Sequence, residues 1–115
     1  MADTATQVSR EDNEEFAELH DMAAHAVELL KAMANEWRLM ILCQLSEGEK
    51  TVSELQDILG LSQSALSQHL AVLRREKIVR SRKQAQSVSY SLSGDDATKV
   101  MTTLHEVFCE KQGER

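Results

Sequence analysis

The chain has 115 residues, of which 42% are apolar and only 3% aromatic, and it carries 13 Lys plus Arg against 19 Asp plus Glu for a net charge of −6. That length admits one small domain packed mostly by aliphatic side chains and Met, and so modest a core favours oligomers. Averaged over the chain, the acidity argues against nucleic acid as a partner. No apolar run reaches the roughly eighteen residues of a membrane helix, and no charged-then-apolar leader is visible, so a cytoplasmic protein is expected.

In chain order, residues 1–11 read as a disordered acidic tail, which leaves residues 12–115 as the folded domain. Phe16, Leu19, Met22, Ala23, Ala26, Leu29, Leu30 and Met33 recur at helical spacing and predict a first helix too apolar on one side to stand alone. His20 and His25 on that helix read as solvent-facing. Asn35 is a candidate cap for a second helix through Trp37, Leu39, Met40, Ile41, Leu42, Cys43 and Leu45, apolar nearly all round and expected at the centre of the fold. Arg38 within it is expected to anchor a carboxylate or a helix end.

The stretch from Thr51 to Leu70 predicts two short amphipathic helices hinged at Gly60. Thr51 and Glu54 have capping-box spacing, and Val52, Leu55, Ile58 and Leu59 give the first of the two a buried face. Gly60 tolerates the positive φ that ends a helix sharply, and Ser62 can cap the next one. There Ala65, Leu66, Leu70 and Leu73 face inward, leaving Gln63, Ser64, Ser67, Gln68 and His69 toward solvent or a groove. Short donor–acceptor side chains suit base edges and phosphates, although any one of them alone could simply solvate a surface helix. Together they form a helix-turn-helix pattern, which makes duplex DNA the first partner to consider.

Charge is placed unevenly. From Leu61 to Leu92 the bases are Arg74, Arg75, Lys77, Arg80, Arg82 and Lys83 against the single acid Glu76, whereas Met1 to Glu36 holds nine acids and two bases. Positive charge therefore sits on the second helix of the pair and on the segment just after it, where phosphate contacts would be made. That segment is predicted to be a β-hairpin, since Ile78–Arg82 and Ser87–Leu92 both alternate. Lys83-Gln84-Ala85-Gln86 lacks the Gly, Asn or Asp of a tight two-residue turn, so a longer, mobile tip is expected. A basic hairpin in this place is a wing, reaching along the backbone or into a minor groove with Arg80, Arg82, Lys83, Gln84 and Gln86; a hairpin that only covers the core is the alternative.

A last helix over about Asp95–Lys111 offers Val100, Met101, Leu104, Val107 and Phe108 on one side. With the first helix it suggests a dimer interface, the alternative being that each covers its own core. A two-fold pair would meet two half-sites about 34 to 36 Å apart.

The segments Ala34-Asn35-Glu36-Trp37-Arg38-Leu39-Met40-Ile41-Leu42, Leu61–Leu70 and Val88-Ser89-Tyr90-Ser91-Leu92 resemble the ArsR family of winged-helix transcriptional repressors, over about residues 14 to 110. The resemblance implies a mainly α fold with a β-hairpin, a winged helix-turn-helix that forms a homodimer through its first and last helices. Such a dimer binds an imperfect palindromic operator in double-stranded DNA and leaves it when an inducer binds. Many members sense metals, and here the chain departs from them. Their central-helix site pairs two Cys one residue apart, where this chain has Cys43, Gln44 and Leu45; their last-helix site falls near Gly94, Asp96, Val107 and Glu110. Neither site can be assembled, and no cofactor is expected.

Cys43 in the central helix and Cys109 in the last, with Ala85-Gln86 at the wing, resemble the sulfide-responsive branch of BigR and SqrR type, which senses persulfides through one dithiol pair. On the residues alone, each cysteine also reads as a small buried hydrophobe. The resemblance implies that Cys43 and Cys109 react with a low-molecular-weight persulfide inducer. His105, four residues before Cys109, leaves open a metal site completed by both cysteines. No nucleophile elbow or phosphate loop appears, so an enzyme is not expected. A reading of another class is an acidic adaptor that grips a protein with its apolar terminal helices.

Overall fold

The computed structural model describes residues 10–109, with side chains over residues 12–108. Within them the order is α1 (Arg10–Met33), α2 (Glu36–Ser46), β1 (Lys50–Thr51), α3 (Val52–Leu59), α4 (Gln63–Arg75), β2 (Val79–Gln84), β3 (Ser87–Leu92) and α5 (Gly94–Leu104), closed by a π-helical turn over His105–Cys109. The strands form one antiparallel sheet in the order β1-β3-β2. This is the mainly helical fold with a hairpin that the sequence predicts. The tail expected over residues 1–11 lies outside the described residues except for Arg10 and Glu11, which are already helical. No helix among the described residues is long and apolar enough to cross a membrane.

Helices α2, α3 and α4 each start where a capping side chain stands. The Asn35 side chain accepts the Arg38 backbone N–H at 3.0 Å and opens α2. The Arg38 guanidinium turns back and donates to the carbonyls of Ala32 and Lys31 at the end of α1, so it anchors a helix end. At α3 the Thr51 hydroxyl accepts from the Glu54 N–H at 3.0 Å and the Glu54 carboxylate accepts from the Thr51 N–H at 2.8 Å, completing the capping box. Gly60 ends α3 at φ 71°, and the Ser62 hydroxyl accepts from the Ala65 N–H to begin α4.

The core gathers at the meeting of α2, α3, α4 and the sheet, where Ile41, Leu42, Leu55, Leu66, Leu70, Leu73 and Ile78 are fully enclosed. Ala97 and Met101 of α5 join it. Two expectations need correction. The central helix is not enclosed on all sides: Ile41, Leu42 and Leu45 face inward, while Trp37 and Met40 lie on an outer face at 39% and 44% exposure. In α3, Val52, Leu55 and Leu59 share the inward face, and Ile58 has turned past it to 49% exposure.

The hairpin tip also differs from expectation. Gln84 pairs with Ser87, so the turn contains only Ala85 and Gln86, with Ala85 at φ 56°. A positive φ at the first central residue is the habit of tight hairpin turns, which Gly usually supplies. Here the continuous pairing of six residues on each strand, from Val79 opposite Leu92 to Gln84 opposite Ser87, holds Ala85 in that region. Strand β1 is too short to have shown a pattern; Lys50 and Thr51 simply pair with Tyr90 and Ser89.

Terminal helices leave apolar surface uncovered. Among the described side chains of α1 only Ala32 and Met33, near its end, are buried, while Phe16, Leu19, Met22, Val27 and Leu30 stay exposed. Past α5, Val107 and Phe108 are exposed as well.

Candidate nucleic-acid interface

Helix α4 presents one continuous outward face. At 3.6 residues per turn, Gln63, Ser64, Ser67, Gln68, Ala71, Arg74 and Arg75 fall within about 140° of arc, and all seven are exposed. Leu66, Leu70 and Leu73 occupy the opposite side and hold the helix to the core. Two Ser and two Gln thus lie toward the helix N-terminus and two cations toward its end, an arrangement fit for base edges followed by phosphates. Ala71, at the centre of the face, was not singled out by sequence reasoning. The signal was its spacing of four from Ser67, and its small side chain permits close approach.

His69 does not join this face. It is half-buried on the flank of α4, and burial, followed by the nearby Arg38 charge, lowers its pKa. A neutral imidazole there supports packing rather than a phosphate contact.

Beside the face, an open cleft of about 510 Å³ runs between α4 and the sheet. Val52, Leu70 and Tyr90 line it together with Ser67, Arg74 and Arg75, so polar and cationic groups stand over an apolar floor. On the far side is the wing. Arg80, Lys83, Gln84 and Gln86 are exposed there, and the Arg80 Nε donates to the Ser91 hydroxyl at 3.3 Å. Arg82 is engaged differently: its Nη2 and Nε donate to the two oxygens of Glu49 at 2.7 and 3.0 Å. That hydrogen bond holds the Glu49 carboxyl below the usual carboxylate range and raises Arg82. Arg75 meets Glu76 at 3.7 Å, whereas Arg74, Arg80 and Lys83 form no ion pair among the described residues.

Cys43 is exposed on α2, one turn after Met40, and α2 packs against α5. Cys109 ends the π turn after α5, and its side chain lies outside the described residues. No group of three or more His, Cys, Asp or Glu side chains able to hold a metal gathers among the described residues.

A helix-turn-helix with a cationic outward face and a paired-strand wing defines the class of winged-helix DNA-binding regulators. Residues 35–81 match the family model described as bacterial regulatory protein, arsR family. The chain is 53% identical over 93 residues to the transcriptional activator HlyU of Vibrio cholerae, covering 81% of this chain and 86% of that protein. A structure of reduced HlyU from Vibrio cholerae superposes with a TM-score of 0.78 at 53% identity, over 80% of this chain and 97% of that one. The transcriptional repressor BigR from Xylella fastidiosa superposes with a TM-score of 0.70 at 36% identity, over 89% and 98%. The chain belongs to the arsR family of bacterial transcriptional regulators. These relatives are regulators rather than enzymes, and they do not favour the metal-sensing alternative.

Proposed function

We propose that the protein is a homodimeric transcriptional repressor that occupies an imperfect palindromic operator and is released when reactive sulfur joins Cys43 to Cys109. The observation that carries the DNA-binding part is the outward face of α4, where exposed Ser, Gln and Arg side chains of kinds suited to bases and phosphates occur in one arc while Leu66, Leu70 and Leu73 are locked into the core. The apolar side chains left exposed along α1 and after α5 support the dimer, because so many large uncovered apolar groups on one small domain mark an interaction surface. Two reading helices related by a two-fold axis then address half-sites about one helical turn apart.

Sensing rests on the position of Cys43. It is exposed on α2, a helix that packs against α5, and the chain reaches Cys109 within five residues of the end of α5. The reaction balances without an outside oxidant. A Cys43 thiolate attacks the terminal sulfur of a low-molecular-weight persulfide, the parent thiolate leaves, and Cys43 carries a persulfide. A second transfer lengthens it by one sulfur; the Cys109 thiolate attacks the middle sulfur, and hydrosulfide leaves. A three-sulfur bridge remains. Clamping α2 to the last helix biases the spacing of the two reading helices, and a coupling of about 1 to 3 kcal/mol lowers operator affinity roughly five- to 150-fold. The repressor BigR supports repression as the direction of regulation, while HlyU, the more similar of the two, is named as an activator.

Mass spectrometry of protein treated with glutathione persulfide tests the sensing step. The predicted product links Cys43 to Cys109 with one added sulfur and two fewer hydrogens, and Cys43→Ser abolishes it. An unchanged mass contradicts the proposal.

A further inference from the structure

Among the described residues, Arg82 is the one wing cation held by a carboxylate. Glu49 lies in the short connection between α2 and β1, so its bond to Arg82 on β2 spans 33 positions of the chain. The contact is a two-pronged fork, the geometry arginine uses equally for carboxylate and for phosphate. Both side chains remain open to solvent, at 59% for Arg82 and 37% for Glu49. Because both groups face water, a phosphate that offers the same two-oxygen geometry can compete with the carboxylate for the fork.

We propose that Glu49 is an affinity-setting residue, its carboxylate occupying the phosphate-binding fork of Arg82 until a DNA phosphate displaces it. The inference rests on the proposed binding of DNA and adds to it an exchange of one anion for another at the wing. Arg80 and Lys83 attract any polyanion from a distance. Arg82 becomes available only where a phosphate comes close enough to take both prongs of the fork. The other role open to Glu49 is that of a staple, fixing the connection before β1 to the hairpin; removing a staple loosens the wing and weakens DNA binding, the opposite sign.

Fluorescence anisotropy with a labelled duplex from upstream of the protein's own gene, and with a scrambled duplex of the same length, separates the two. Wild type, Glu49→Gln, Arg82→Gln and the double variant are titrated, and thermal unfolding confirms that each is folded. Exchange predicts that Glu49→Gln tightens binding about two- to fivefold, the range of an exposed ion pair. Arg82→Gln weakens it, and the double variant matches Arg82→Gln, since no fork is left to release. Unchanged or weaker binding by Glu49→Gln overturns the proposal, and so does an equal gain with Arg82 already removed, which marks loss of a general repulsion. If wild type binds neither duplex, the proposed binding of DNA itself fails, and this inference falls with it.

Discussion

Arg74 and His69 lie within two turns of each other on α4, yet the structure gives them different work. Arg74 stands on the outward face, exposed and without an ion pair among the described residues. Arg74→Ala is expected to weaken binding to all duplexes alike and to lower the slope of log affinity against log salt by about 1, as anisotropy at several salt concentrations will show. His69 is half-buried beside Arg38, with its pKa lowered first by burial and then by that charge. The unfolded chain, with an ordinary His pKa of about 6.5, therefore takes up a proton before the folded one does. His69 thus favours the folded state above that pH, and this contribution is lost as the pH falls through the lowered folded value. Denaturant midpoints measured between pH 7.5 and 5 should fall with pH, and less so in His69→Gln. From sequence, Gln63, Ser64, Ser67 and Gln68 were legible because helical spacing separates them from Leu66, Leu70 and Leu73. His69 was not, because a polar ring one step outside the apolar stripe faces a neighbouring helix that only the tertiary fold supplies.

Caps and turns decide where the elements begin and end. The close of α4 is a Schellman motif: Ile78 N–H donates to the Leu73 carbonyl at 2.9 Å and Lys77 N–H to that of Arg74 at 3.0 Å. Lys77 holds the left-handed position at φ 61°, where glycine is usual. Lys77→Gly is expected to stabilise the protein by about 1 kcal/mol in urea titration, since relief of that conformation outweighs the added freedom of the unfolded chain. Ser62→Ala is expected to cost about 1 kcal/mol through loss of the cap on α4. The caps at Asn35, Thr51, Gly60 and Ser62 were legible because each acts within four residues of itself. The tight Ala85-Gln86 turn was not, because cross-strand pairing imposes it on residues that do not favour it. Strand β1 was equally hidden, since Lys50 and Thr51 are strand only by pairing with β3.

As a whole the single chain is more extended than its length requires. Its radius of gyration is 18.7 Å, against about 13 Å for a compact domain of this size. Much of α1 runs clear of the core with Phe16, Leu19 and Met22 uncovered. In the proposed dimer a second copy covers these side chains, and Phe16→Glu with Leu19→Glu is expected to convert the dimer into a monomer in sedimentation velocity while lowering operator affinity. The sequence showed those stripes at helical spacing but not what covers them, since the same periodicity serves an intrachain core and an interface between copies. The central claim is that two chains present their α4 faces to one duplex. Sedimentation of the complex with a fragment from upstream of the gene, in dilute salt, tests it most directly: the account predicts two chains per duplex and loss of the complex as salt rises, and a protein that leaves every such fragment unbound contradicts it.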